Sequence, residues 1–97
     1  MRLDEVAIPI KPEVLGACEL LGLDALNVAN EGKLVAIVPA EDSERLLGVM
    51  RHHPLGRDAT AIGEVIADPA RFVRMTTRIG GERIVDWLAG EQLPRIC

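Results

Sequence analysis

Apolar and polar positions along the chain follow two different periods, and the switches between them mark the elements. Residues 3–10, LDEVAIPI, carry the apolar weight of a strand, and Pro9 ends it. KPEVLGACELLG then changes to helical spacing, with Val14, Ala17, Cys18 and Leu21 on one side. Pro12 suits the first helical position, where its missing N–H would have no intrahelical partner, and Glu13 complements the positive end of the helix dipole. Gly22 fits the left-handed cap at the end. On this spacing the helix buries Val14, Cys18 and Leu21.

ALNVANEGKLVAIVP reads as a hairpin, with strands over 25–30 and 33–38 joined across Glu31-Gly32, where glycine supplies a positive φ. A second helix is predicted over 41–52. Glu41, Asp42 and Glu44 crowd its start, Arg51 and His52 lie in its last turn, and Pro54 closes it. ATAIGEVI (59–66) reads as a further strand, and RFVRMTTRI with RIVDWL as a second hairpin around Gly80-Gly81. The first six elements run β-α-β-β-α-β, the ferredoxin-like order, so the fold class is α+β with a closing hairpin. One domain is expected over 1–88. After Leu88 the apolar pattern stops, and 89–97 is expected to be a mobile tail.

Composition narrows the function. The chain has 97 residues, room for one core, and its 48% hydrophobic share is aliphatic, with a single Phe (Phe72), a single Trp (Trp87) and no Tyr. A net charge of -4 and the lack of stacking aromatics argue against nucleic acid. No apolar run approaches the ~20 residues of a membrane span. Two cysteines without a charged-then-apolar leader point to free thiols in a reducing compartment, and the cytoplasm is expected.

Few residues offer chemistry. His52 and His53 are adjacent, so on a helix they point about 100° apart and cannot chelate one ion together; no metal site is expected. Gly80-Gly81 lacks the surrounding pattern of a phosphate loop and reads as a turn. Cys18 shares the apolar helix face and reads as core. Glu31 is either a hydrated turn residue or a carboxylate held at a turn as a general base. Cys97 is the last residue and cannot be a prenylation site, which needs three residues after the cysteine. That leaves a nucleophile or carrier, reactive as the thiolate. The nine residues after Leu88 reach at most ~30 Å. Pro94 limits the slack, and Leu93 and Ile96 flank Arg95 as groove anchors, so the tail reads as a swinging arm.

The ending PRIC, preceded by GGERIVDWLAGEQL, resembles the C-terminus of the HypE family, the carbamoyl dehydratases of nickel–iron hydrogenase maturation. VANEGKLVAIVP, HPLGRDATAIGEV and TRIGGERIVDWL resemble that family's segments in the same order, so the resemblance covers the whole chain. The family is grouped with the aminoimidazole-ribonucleotide-synthetase-like ATP enzymes. The resemblance implies that Cys97 accepts a carbamoyl group from the carbamoyltransferase HypF. It further implies that ATP-dependent dehydration converts this group to an S-bound cyanide (a thiocyanate), which passes to iron on the HypC–HypD scaffold complex. Glu31 falls where the family has a glutamate proposed to deprotonate the amide, and Leu93, Pro94, Arg95 and Ile96 would position the tail. ATP and magnesium would bind an amino-terminal domain that also forms the family homodimer. That domain has no counterpart in these residues, so no bound cofactor and no activity are expected of the chain alone. A different reading is a non-catalytic carrier whose tail docks to partner proteins.

Overall fold

The computed structural model describes residues 1–86, and the end of the predicted closing strand and the tail lie outside the described residues. Within them the chain forms two compact units, one of residues 1–9 and 37–86 and the other containing residues 10–36.

The first unit is organised by a four-stranded mixed sheet. β1 (Arg2–Asp4), β2 (Gly63–Glu64), β3 (Arg74–Thr76) and β4 (Glu82–Ile84) lie in the order β2-β1-β3-β4. β1 pairs antiparallel with β2 and parallel with β3, so two segments about seventy residues apart in sequence meet as neighbours. The Asp4 N–H donates to the Ile62 carbonyl at 2.9 Å, and the Arg74 N–H to the Met1 carbonyl at 2.9 Å.

Register separates the two faces. Leu3 stands beside Gly63 on one side and Met75 on the other, and Met75 is only 1% exposed. The opposite face carries Arg2 beside Glu64, with which it forms an ion pair, and Arg74, which bonds Glu82 at 3.2 Å. Such exposed pairs add little energy singly, but they keep one face wet while the other packs. The short strands are thus amphipathic in the period of two that a half-buried sheet requires.

Glycine is needed at the β1–β2 pairing itself. A Cβ on Gly63 would strike the Arg2 carbonyl and the Leu3 backbone, so no larger residue fits between these strands. At the hairpin between β3 and β4, Gly80 takes φ +86° while the Thr77 N–H donates to the Gly81 carbonyl at 2.8 Å. The predicted closing hairpin is therefore present where it falls among the described residues.

Asp68 ties the approach to β3. Its carboxylate accepts from the Ala70 N–H at 2.9 Å and the Phe72 N–H at 3.3 Å, and lies 3.7 Å from the Arg74 guanidinium. Arg74 in turn sits 5.5 Å above the Phe72 ring. The Ala70 N–H, with smaller help from Phe72 and Arg74, holds the Asp68 carboxyl below its ordinary value of 3.8, against the opposing effect of burial. Arg71, inside this turn, sits at φ 57°, a left-handed conformation that the surrounding hydrogen bonds enforce.

The second helix, α2 (Ser43–His52), follows a single 3-10 turn, Ala40–Asp42. Glu44 occupies its first turn and Arg51 and His52 its last, as predicted. His53 is extended, as the residue before a proline should be, and its Nδ1 accepts from the Leu55 N–H at 3.1 Å to cap the turn Pro54–Gly56.

In the second unit, α1 (Pro12–Leu21) starts with proline in its first turn and Glu13 beside it. Gly22 ends it at φ 68°, with Leu23 N–H donating to the Cys18 carbonyl at 2.8 Å, the backbone pattern of a Schellman cap. Cys18 is buried at 6% exposure. Val14 and Leu21 are not: they stand 47% and 67% exposed, which corrects the predicted buried face of this helix.

The predicted hairpin over 25–38 is also corrected. Asp24 captures the Leu26 N–H on its side chain at 3.0 Å and the Asn27 N–H on its carbonyl at 2.9 Å, winding Ala25–Asn27 into a 3-10 turn instead of a strand. Gly32 does take the positive φ the turn needs, 76°, but 33–39 joins no strand among the described residues. The described order is therefore β1-α1-α2-β2-β3-β4. The α+β class stands, without the two middle strands of the ferredoxin-like order.

Two outcomes follow from the first unit. Gly63→Ala should lower the urea-unfolding free energy of the chain by about 1–3 kcal/mol, because the β1–β2 pair must separate to admit the methyl group; an unchanged midpoint would contradict the register. Asp68 contributes stability that is present above its ordinary value of 3.8 and lost as pH falls through its lower folded-state value. The urea midpoint should accordingly fall as pH drops below 3.8, and fall less steeply in Asp68→Asn.

Candidate active site

Glu31 is exposed, in a bend that follows the Ala25–Asn27 turn, and Gly32 next to it leaves open space around its Cα. The Glu31 side chain is open to solvent. It is accessible to a substrate brought from outside, which a proton acceptor requires. The structure thus places Glu31 at an exposed turn, although the turn does not join two strands.

Cys97, Leu93, Pro94, Arg95 and Ile96 lie outside the described residues. Within them, Cys18 is a free thiol, and its burial in α1 removes it from solvent and from chemistry that needs a thiolate. This agrees with its reading as core. His52 and His53 are exposed and separate in role: His52 ends α2, whereas the His53 ring is occupied by the Leu55 N–H.

A shallow, open depression on the first unit is lined by Arg2, Leu3, Asp4, Gly63, Glu64 and Thr76. Its lining draws on both faces, and Arg2 and Glu64 within it pair with each other. No group of three His, Cys, Asp or Glu side chains able to hold a metal ion occurs among the described residues. No helix among them is long and apolar enough to cross a membrane.

Sequence reasoning missed the Asp68–Phe72–Arg74 network. A signal was present in Asp68-Pro69, since aspartate commonly accepts from the backbone two residues on and so opens a turn. The reach from that turn to Arg74 and Glu82 depended on strand pairing and carried no local signature.

Residues 1–76 match the model of the AIR synthase related protein, C-terminal domain. Over its full length the chain is 67% identical to the carbamoyl dehydratase HypE of Cupriavidus necator, spanning 28% of that protein. It is 50% identical to the carbamoyl dehydratase HypE of Escherichia coli, again over the whole chain and 28% of the relative. The chain therefore spans less than a third of the length of the curated relatives it matches. Among solved structures, a hydrogenase maturation protein HypE superposes with a TM-score of 0.88 at 45% identity, covering 99% of this chain and 32% of the other. HypE in complex with ATP gives 0.87 at 43% identity over 99% of this chain and 30% of that one. A HypE–HypF complex gives 0.80 at 41% identity over 88% and 27%. With 76 of its 97 residues matched to one family model, the chain belongs to the AIR synthase related family, as its C-terminal domain.

Proposed function

We propose that this chain is the thiol-bearing C-terminal part of a carbamoyl dehydratase in nickel–iron hydrogenase maturation. The observation that carries the reading is its whole-length likeness to HypE proteins, which extends through the Pro-Arg-Ile-Cys ending. In this reading Cys97 attacks the carbamoyl carbon as thiolate; the S–C bond forms as the bond from that carbon to the donor's oxygen breaks, the donor group leaves with the electron pair, and the tail carries an S-carboxamide. Leu93, Pro94, Arg95 and Ile96 steer that tail, and residues 1–88 act as the folded body from which 89–97 extends.

Conversion of the carboxamide to S-bound cyanide removes one oxygen and both N–H protons from the same group. Glu31 takes one proton from the amide nitrogen, a role that suits an exposed carboxylate at a turn, and the second proton leaves with the phosphate that carries the oxygen away. Sulfur holds the carbon until the S–C bond breaks; the thiolate leaves with the electron pair, so delivery of the carbon as cyanide takes two electrons, which an electron-rich iron or another reductant on the acceptor complex would supply. Acceptance of the oxygen by ATP belongs to the rest of the family protein. Among the described residues no group of three His, Cys, Asp or Glu side chains could hold a metal ion for that role. ATP, with which a related HypE structure was solved, and magnesium are proposed to bind in the part of the HypE relatives that this chain does not span.

HypF is the proposed carbamoyl donor, a choice supported by the solved HypE–HypF complex, and the HypC–HypD scaffold complex is the proposed acceptor of cyanide. The cytoplasm, where thiols stay reduced, is the compartment in which this chemistry works.

The test places the chain in its working context, as a replacement for the corresponding segment of the Cupriavidus necator relative. Intact mass after incubation with HypF, carbamoyl phosphate and ATP should show a single modified thiol at Cys97. Cys97→Ser should remain unmodified; modification elsewhere, or none at all, overturns the reading. Glu31→Gln should keep carbamoylation and slow dehydration by about 10²–10⁴-fold, within the usual contribution of a general base. On the chain itself, brief iodoacetamide treatment should label Cys97 well before buried Cys18, read by peptide mapping. Equal labelling would remove Cys97 as the reactive thiol.

A further inference from the structure

Four of the described turns are opened by a polar side chain that accepts the backbone N–H two residues on. Asp4 accepts from Val6 at 3.1 Å, Asp24 from Leu26 at 3.0 Å, His53 from Leu55 at 3.1 Å and Asp68 from Ala70 at 2.9 Å. This is the ordinary use of such a residue at a turn, and it occupies the acceptor. Asn30 stands in the same relation to Gly32, which takes φ 76° in the bend at Glu31-Gly32. Its side chain accepts nothing from Gly32, and among the described residues it makes no hydrogen bond. A primary amide carries one accepting oxygen and two donor hydrogens. All of them are unspent on the residue next to Glu31.

We infer that Asn30 orients the substrate for dehydration, its Oδ1 accepting the carboxamide N–H that Glu31 does not take. The inference rests on the roles proposed for Cys97 and Glu31. An S-carboxamide has two N–H bonds and so calls for two acceptors around its nitrogen. Glu31 and Asn30 divide that work. The carboxylate is basic enough to remove a proton, whereas an amide oxygen accepts a hydrogen bond without acting as a base. Consecutive Cα atoms lie about 3.8 Å apart across a trans peptide, so both side chains are within reach of one nitrogen. Holding the second N–H fixes the planar carboxamide with its nitrogen toward Glu31 and its oxygen away from both residues, free to meet the phosphoryl donor. No covalent bond forms or breaks at Asn30. Its hydrogen bond ends when the second proton departs with the phosphate. S-bound cyanide carries no N–H, so Asn30 holds the carboxamide and releases the product.

The test uses the chain substituted into the Cupriavidus necator relative and loaded at Cys97 by HypF and carbamoyl phosphate, with intact mass following loss of the carboxamide once ATP is added. Asn30→Ala should load as the parent does and then dehydrate about tenfold more slowly, the usual effect of one lost hydrogen bond. Asn30→Asp keeps an accepting oxygen in place and should recover most of that loss, which a general disturbance of the bend would not allow. The thermal midpoint should be the same in all three proteins. Parental dehydration by Asn30→Ala, or Asn30→Asp as slow as Asn30→Ala, overturns the inference. So does a midpoint that falls in step with the rate, since the side chain would then be holding the bend. Glu31→Gln tells the two readings apart. Slow dehydration in Glu31→Gln beside a parental rate in Asn30→Ala removes Asn30 alone, whereas a parent that never loads, or Glu31→Gln at the parental rate, overturns the reading of Cys97 and Glu31 and this inference with it.

Discussion

The parallel contact between β1 and β3 is the constraint on which the first unit depends. Three residues near the start of the sequence lie between strands drawn from its second half, and each neighbour uses a different edge of β1. Such a long-range pair forms only after a large loop is closed, which costs chain entropy before any contact offsets it. The compensating contacts are concentrated in a few places: the Met75 side chain packed on one face, the glycine that lets β2 approach, and the Asp68 turn that aims β3. Each loses its purpose if β1 is displaced.

The second unit is built the opposite way. Its described elements, α1 and the Asp24-capped turn, are set by neighbours in sequence and by backbone hydrogen bonds a few residues apart. These local devices work without a large core, and little apolar surface is buried there: Leu20 and Leu21 are exposed, and Cys18 alone among the helix residues is buried. Apolar surface left open at this scale is uncommon in a self-sufficient domain and common where another layer packs on it.

Much of the architecture was legible from residues with one strong local preference. Pro12 and Gly22 bracket α1, Pro54 ends the run of α2, and Gly80 sets the hairpin of β3 and β4, all as read from the chain. Cys18 was legible as core. These features are decided by covalent geometry: a ring that fixes φ, or a missing Cβ that permits a positive one. The resemblance of the ending to HypE was equally a property of the string; Cys97 and Glu31 already stood out as a terminal thiol and a turn carboxylate, and the resemblance adds the roles proposed for them.

Tertiary structure decided the rest. Periodicity marked 25–30 as a strand, yet the Asp24 side chain offered its backbone a nearer partner, and a local hydrogen bond outcompeted a hairpin that had no second layer to bury it. Helical spacing assigned Val14 and Leu21 to a buried face, but spacing states only which residues share a side, and burial depends on what is packed against it. The partners of β1 were likewise invisible in its three residues. Sequence by itself determined where the chain can bend, cap and turn, because those are single-residue constraints; which apolar faces are covered, and by what, was decided only by contacts between distant segments.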